Sequence, residues 1–143
     1  MDKIAITFTL PTSATPEKIW PYYTEISLRQ QWETDLEEFR LTGELKTGVQ
    51  GMFKIQHMPV MPVTLSKVIT NQEFTEEFNM PDIGLLYFSH QIVQLSKDQY
   101  ALKAEIALIP DEKLDNAATR DFLKQISDDI MDKAYALKHL VEN

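Results

Sequence analysis

Residues 115–143 read DNAATRDFLKQISDDIMDKAYALKHLVEN, and their periodicity decides the fold. Ala118, Phe122, Leu123, Ile126, Ile130, Met131, Ala134, Leu137, Leu140 and Val141 recur at threes and fours, which places them on one stripe of a helix. Arg120, Lys124, Asp128, Asp129, Asp132 and Lys133 fall on the opposite face, with Asp129 and Lys133 at the supporting i, i+4 spacing. Asp115 or Asn116 can cap the first turn, and no glycine or proline interrupts the chain from there to Asn143. At about 1.5 Å per residue this helix is roughly 35 to 40 Å long. That exceeds what one strand can partner, so the helix is expected to cross a sheet.

The preceding chain supplies that sheet. Ile4, Ile6, Phe8 and Leu10 alternate with smaller residues, the period of a half-buried strand, and Pro11 is expected to end it. Thr15-Pro16 reads as an N-cap followed by proline at the first helical position, opening a helix with Ile19, Trp20 and Tyr23 on one face. Pro21 should keep it short or kinked. Ser27 to Gln30 has the spacing of a capping box and predicts a second short helix carrying Leu28 and Trp32.

From Leu36 the period is two. Strands are expected to end at Leu41, to run from Met52 to His57, to include Val63, Leu65 and Ile69, and to include Phe74 and Phe78. Two longer strands come next, over Leu85 to Leu95 and Tyr100 to Ile109, joined by a hairpin at Ser96-Lys97-Asp98. Thr42 to Gly51 and Pro81 to Gly84 read as turns, and the prolines at 59 and 62 should break the ladder. Lys67 is a misfit on the face of Val63 and Leu65, which suggests a bulge. A twisted antiparallel sheet of this kind curls, and the long helix grips its concave apolar face.

At 143 residues, with 43% hydrophobic and 10% aromatic content, the chain suits one domain over residues 1–143 with a substantial core. Its 14 basic residues are scattered among 22 acidic ones for a net charge of −8. Nucleic-acid binding, which rests on clustered Lys and Arg, is therefore not expected. There is no cysteine, hence no disulfide and no thiolate metal site, and a cytoplasmic location is the simplest expectation. Ile4 to Leu10 is too short for a signal segment and nothing approaches a membrane span. A monomer or weak homodimer is expected.

Several features together resemble a known family: Pro11 with Pro16-Glu17-Lys18-Ile19-Trp20, Trp32 after the elbow, Gly43, Gly48 and Gly51 in the turn region, and the terminal amphipathic helix. The chain is similar to the START-like or SRPBCC superfamily, the helix-grip fold of the birch-pollen-allergen type, and within it to the polyketide cyclase/dehydrase group. The resemblance covers essentially the whole chain. It implies an α+β fold: a seven-stranded curved antiparallel sheet, two short helices after the first strand, and a long C-terminal helix across the concave face. It also implies a cavity where the helix stands off the sheet, with Trp32 at its lip. Lipid carriers, cyclases, coenzyme Q-binding proteins and chaperone-activator homologues share this fold, so likeness of fold does not select a reaction.

The expected cavity wall consists of Phe53, Ile55, Leu65, Phe74, Tyr87, His90 and Leu102 from the sheet, Phe122, Ile126 and Ile130 from the helix, and Trp32. Two polar residues share the inward period. His57 continues the face of Phe53 and Ile55 and is either a general base or a solvated strand-end histidine. Glu76, between Phe74 and Phe78, is either a buried carboxyl with a raised pKa or is turned to solvent by a bulge. His90 shares a face with Leu86, Phe88 and Ile92, but both faces of its strand are mixed. The methionines at 52, 58, 61, 80 and 131 suit an adaptable wall. Three histidines without close spacing predict no metal, and no phosphate-loop, dinucleotide or nucleophile-elbow motif predicts a cofactor. The function expected is binding of a small hydrophobic or aromatic molecule. The alternatives are an acid/base enzyme of the cyclase/dehydrase type using the same cavity, and a protein-interaction module of the chaperone-activator type with an apolar outer sheet face.

Overall fold

The computed structural model describes residues 2–143. In chain order the elements are β1 (Ile4–Thr12), α1 (Pro16–Thr24), α2 (Ile26–Arg29), β2 (Leu36–Leu41), β3 (Gln50–Ile55), β4 (Met61–Ile69), β5 (Glu73–Met80), β6 (Gly84–Ser96), β7 (Gln99–Pro110) and α3 (Asn116–Val141). The strands form one antiparallel seven-stranded sheet in the order β1-β7-β6-β5-β4-β3-β2. Each neighbour pair is a hairpin or short connection except β1 with β7, which brings the first strand beside the last. The curved sheet and α3 share one core that includes Phe74, Leu86, Leu102, Ile106, Leu123, Leu137 and Val141.

Three local expectations are corrected. Pro11 does not end β1 but pairs with Ala101 inside it. A proline is tolerated there because β1 is the sheet's outer edge, where an N–H facing away from the sheet has no partner to lose. Pro62 likewise lies within β4, opposite Met52 of β3, at an end of the strand that extends beyond the first β5 pair at Thr64 and Glu77. The Ser27 capping box does not form. Glu25 precedes α2 in extended conformation, and the short helix instead turns Arg29 inward to 1% exposure.

The bulge suggested by Lys67 is present: the β4–β5 register shifts between Leu65 and Lys67, which sends Lys67 outward toward Glu73. At the β5–β6 turn, Gly84 has φ 136, and a Cβ there would lie 2.2 Å from the Ile109 carbonyl oxygen. Glycine is therefore required for strands β6 and β7 to approach at that corner.

The α3 helix begins at Asp115, whose Oδ1 accepts a 2.8 Å hydrogen bond from the Ala118 N–H. Its far end is latched to the first strand. Glu142 accepts bonds from Thr12 Oγ1 at 2.8 Å and Ser13 N at 3.1 Å, and Lys138 Nζ donates to the Pro11 carbonyl at 2.6 Å. Between the ends, Leu123 and Leu137 are buried while Phe122, Ile126 and Ile130 are only half-buried. The helix thus stands off the sheet in its middle turns. Met131, expected in the apolar stripe, is 44% exposed. Lys133, expected on the solvent face, is turned under the helix. Among the described residues no helix is long and apolar enough to cross a membrane.

Candidate functional site

The stand-off encloses a cavity of about 420 Å³ between α3 and the concave face of β3 to β6. Most of its wall is apolar: Phe53, Ile55, Phe78, Leu86 and Phe88 from strands, three methionines at 58, 61 and 80, and Phe122, Ile126 and Ile130 from α3. At one end polar side chains converge: Arg29, Glu33 and Asp35 from the elbow, Glu76 from β5, His90 from β6, and Asp129 and Lys133 from α3.

Arg29 organises that end. Its Nη1 donates to Glu76 Oε2 at 2.9 Å and its Nη2 to Glu76 Oε1 at 2.8 Å, a two-pronged pairing of guanidinium with carboxylate. Nε and Nη2 also donate to Glu33 Oε1, at 3.3 and 3.1 Å. The guanidinium carbon lies 5.0 Å from the Phe39 ring centre and 5.6 Å from those of Phe53 and Phe74. His90 Nε2 is 3.3 Å from Glu76 Oε1, and its ring stacks on Tyr23 with centres 5.2 Å apart.

These contacts set the charges. Burial pushes the Glu76 carboxyl up, but Arg29, helped by His90, outweighs it and holds the pKa at about 2. For Arg29, burial works against the charge and the Glu33 and Glu76 carboxylates overcome it, so the guanidinium is held more firmly charged than usual. Lys133 is 3.1 Å from Asp35 Oδ1 and 2.9 Å from Asp129 Oδ2. Burial lowers its pKa, and Glu33, Asp129 and Asp35 raise it by more. Burial also pushes the Tyr23 phenol well above its ordinary range.

The expected site residues separate into groups. Phe53, Ile55, His90, Phe122, Ile126 and Ile130 line the cavity together with Glu76. His90 is on the inward face and 7% exposed, which resolves its orientation. Glu76 is neither turned to solvent nor a raised acid: it is 1% exposed and ionised, and the bulge lies on β4 opposite it. Leu65 and Phe74 are fully buried beneath the site without lining it. Trp32 and Leu102 line a small adjoining space of about 20 Å³ beside His90, and Trp32 is fastened by a 2.9 Å bond from Nε1 to the Tyr22 carbonyl rather than forming a lip.

Two expected residues lie elsewhere. His57 is an exposed turn residue with φ 67, because β3 ends at Ile55 and the chain turns before the alternation can continue. Tyr87 occupies the outer face, with Lys3 Nζ 5.0 Å from its ring centre, since the inward positions of β6 are Leu86, Phe88 and His90. Arg29, Glu33, Asp35 and Lys133 were not expected at a site. The Arg29 and Glu33 spacing of i, i+4 is the one local signal that pairs them.

A second groove, also about 420 Å³ but more open, runs between β1 and the first half of α3, past Ile4, Ile6, Thr119 and Leu123. Its charged and amide lining residues, Asn116, Arg120, Lys124 and Asp128, all belong to α3 and are exposed. Among the described residues no three His, Asp or Glu side chains form a metal-holding group.

No family model and no curated protein sequence matches the chain. Solved structures do. A conserved protein of unknown function from Enterococcus faecalis matches with 24% identity over 99% of this chain and 72% of that one, at TM-score 0.63. The Aha1 dimer from Colwellia psychrerythraea matches with 17% identity over 97% and 96% of the two chains, at TM-score 0.68. Truncated norcoclaurine synthase from Thalictrum flavum matches with 12% identity over 98% and 94%, at TM-score 0.69. With the element order and sheet topology described above, these likenesses establish that the chain has the helix-grip fold of the START-like, or SRPBCC, superfamily.

Proposed function

We propose that this chain binds a small hydrophobic or aromatic molecule in the cavity between its sheet and α3. The observation that carries the proposal is the cavity itself, about 420 Å³, with an apolar wall and polar groups gathered at one end. Small-molecule sites have this form, at roughly 300 to 1,000 Å³. Apolar burial would supply most of the affinity, and the polar end the orientation. Carriage of such a molecule in the cytoplasm, by a monomer or weak homodimer, completes the proposal.

An acid/base enzyme of the cyclase/dehydrase type draws less support. Glu76 is locked ionised by Arg29 and His57 lies outside the cavity, which leaves His90 as the one expected acid/base group in the wall. A protein-interaction module also draws less support, because polar residues interrupt the outer face of the central strands: Thr75, Ser89 and Glu105 lie in register there, as do Glu73, Gln91 and Lys103. Native mass spectrometry of freshly purified protein, beside a denatured sample and an organic extract, tests the binding proposal. A discrete added mass that is lost on denaturation and recovered in the extract supports it. Bare protein that also fails to take up any of a panel of aromatic and aliphatic probes overturns it.

A further inference from the structure

The two edges of the sheet are built differently. β2 is short, carries Glu37, Glu38 and Arg40, and has a bulge between Leu36 and Glu38 in its pairing with β3. Charges and bulges of this kind keep an edge strand from pairing with a further strand. β1 has neither. It runs from Ile4 to Thr12 in unbroken register with β7 and contains no charged residue.

The free backbone groups of β1 can be placed from its proline. Pro11 has no N–H to give β7, and its carbonyl accepts from Lys138 Nζ. On the neighbouring strand's side the alternation agrees: Ala101 opposes Pro11, and Asp111, ten positions on, donates its N–H toward β6 at the Ile83 carbonyl. Odd-numbered positions of β1 therefore turn their N–H and C=O groups outward. Ala5, Thr7 and Thr9 are such positions, and all three are exposed. The latch of Lys138 and Glu142 covers the edge only from Pro11 to Ser13. Apolar side chains gather beside the open part. Ile4 and Ile6 line the groove under α3, the Tyr135 ring lies 6.1 Å from that of Phe8, and Met131 is one turn before Tyr135 on the same flank of the helix; Ile4, Ile6, Met131 and Tyr135 are each more than a third exposed.

We infer that a second copy of this chain covers this edge, β1 pairing antiparallel with β1 of the partner about a two-fold axis at Thr7, so that one sheet continues through both copies. In this register Ala5 opposes the partner's Thr9 and Thr7 opposes its own counterpart, which satisfies the three positions left open. Ile4 and Ile6 come beside the partner's Leu10 and Phe8. The α3 helix packs over β1 and β7 and runs along β1 from Ile4 to Thr12. With strands about 4.8 Å apart, the two α3 helices then run antiparallel at roughly 10 Å, an ordinary packing distance, with Met131 and Tyr135 between them. A strip about 30 Å long and about 20 Å high offers about 600 Å² per copy, or roughly 1,200 Å² in all, which reaches the range of stable interfaces. Each chain carries a net charge of −8, yet the paired strands bring no like charges together, and the adjoining flank of α3 is of mixed sign, with Arg120, Lys124 and Asp128. The cavity opens on the other flank of α3, so this interface stands apart from ligand binding.

Sedimentation equilibrium of the full chain over a range of concentrations tests the inference, with a mass of two chains expected. Thr7→Pro, which removes the N–H at the axis from an edge that already tolerates Pro11, should give single chains, as should Tyr135→Lys, which places a charge in the helix contact. Crosslinking tests the register. The chain has no cysteine, and residues directly opposed across such a pair lie about 5.5 Å apart. A short bifunctional thiol reagent should therefore join Thr7→Cys to its own copy about tenfold faster than Glu37→Cys at the β2 edge. A single-chain mass up to about 100 µM overturns the inference and leaves the edge to a strand of another protein. A dimer that both Thr7→Pro and Tyr135→Lys leave intact, or one joined as readily through Glu37→Cys, overturns it as well. The wild-type mass and the Thr7→Cys crosslink decide the matter even if Thr7→Pro does not fold.

Discussion

Arg29 and Glu76, separated by 47 positions in the chain, meet as a buried two-pronged ion pair at 2.8 and 2.9 Å, each 1% exposed. The pair joins the helical elbow to the middle of the sheet and forms the floor of the cavity's polar end. Its energetic weight lies less in the attraction than in what either partner would suffer alone.

Arg29→Met should therefore be strongly destabilising. It leaves Glu76 and Glu33 buried beside each other without a cation, and breaking a buried pair in this way costs about 3 to 5 kcal/mol. Replacing both partners, as Arg29→Met with Glu76→Leu, should recover part of the loss. Urea denaturation measures both variants. A single variant within about 1 kcal/mol of wild type would mean that the pair is solvated.

Acid should weaken the fold through the same carboxylate. The Glu76 pKa is depressed to about 2 from an ordinary 4.5 because Arg29 outweighs the effect of burial. A group with a depressed folded pKa contributes stability that is fully present above the unfolded value and is lost as pH falls through the folded one. The loss should thus run from about pH 4.5 down to about 2. Glu142, also held at about 2, chiefly by its Lys138 hydrogen bond, acts in the same window. Urea midpoints across this window should fall less steeply in Glu76→Gln than in wild type, with Glu142→Gln as the control for the latch. Equal slopes in Glu76→Gln and wild type would remove Glu76 as the source.

Truncating the grip helix should cost different amounts along its length. Leu137 is 2% exposed in the closed part of the core, so Leu137→Ala should lose about 2 to 5 kcal/mol. Ile126 already faces open space, and Ile126→Ala should lose clearly less. Thermal melts compare the two, and equal losses would place the middle of α3 flush against the sheet.

Filling the cavity should abolish binding without unfolding the chain. Ile126→Trp projects an indole into the space between Phe53, Phe88 and Ile130, and a cooperative melt with no uptake of the aromatic probes is the expected result. Full retention of binding would direct attention to the open groove beside Ile4 and Ile6.

Much of the architecture is legible in local pattern. The period of the last stretch, the Asp115 cap and the misfit at Lys67 each depend on neighbours within a few residues, and each appears in the structure. The prolines at 11 and 62 depart from expectation for a different reason. Whether a proline is tolerated depends on whether a second strand lies beside it, and the edge of a sheet is not a property of the strand's own residues. His57 departs similarly, since alternation continues on paper past the point at which β3 ends.

The polar end of the cavity is the least legible part. Glu76 is visibly anomalous between Phe74 and Phe78, but its partner lies in α2, and Arg29 there looks like any charged residue of a short surface helix. Lys133 sits on a polar arc of α3, and its inward turn comes from the helix standing off the sheet rather than from its spacing. Periodicity and capping act over a few residues, so the elements, their order and the apolar face of the grip helix can be read along the chain. Where that helix leaves the sheet, and which charges meet beneath it, depends on the closed fold. Buried charges are selected by their partners, and only folding brings those partners within hydrogen-bond distance.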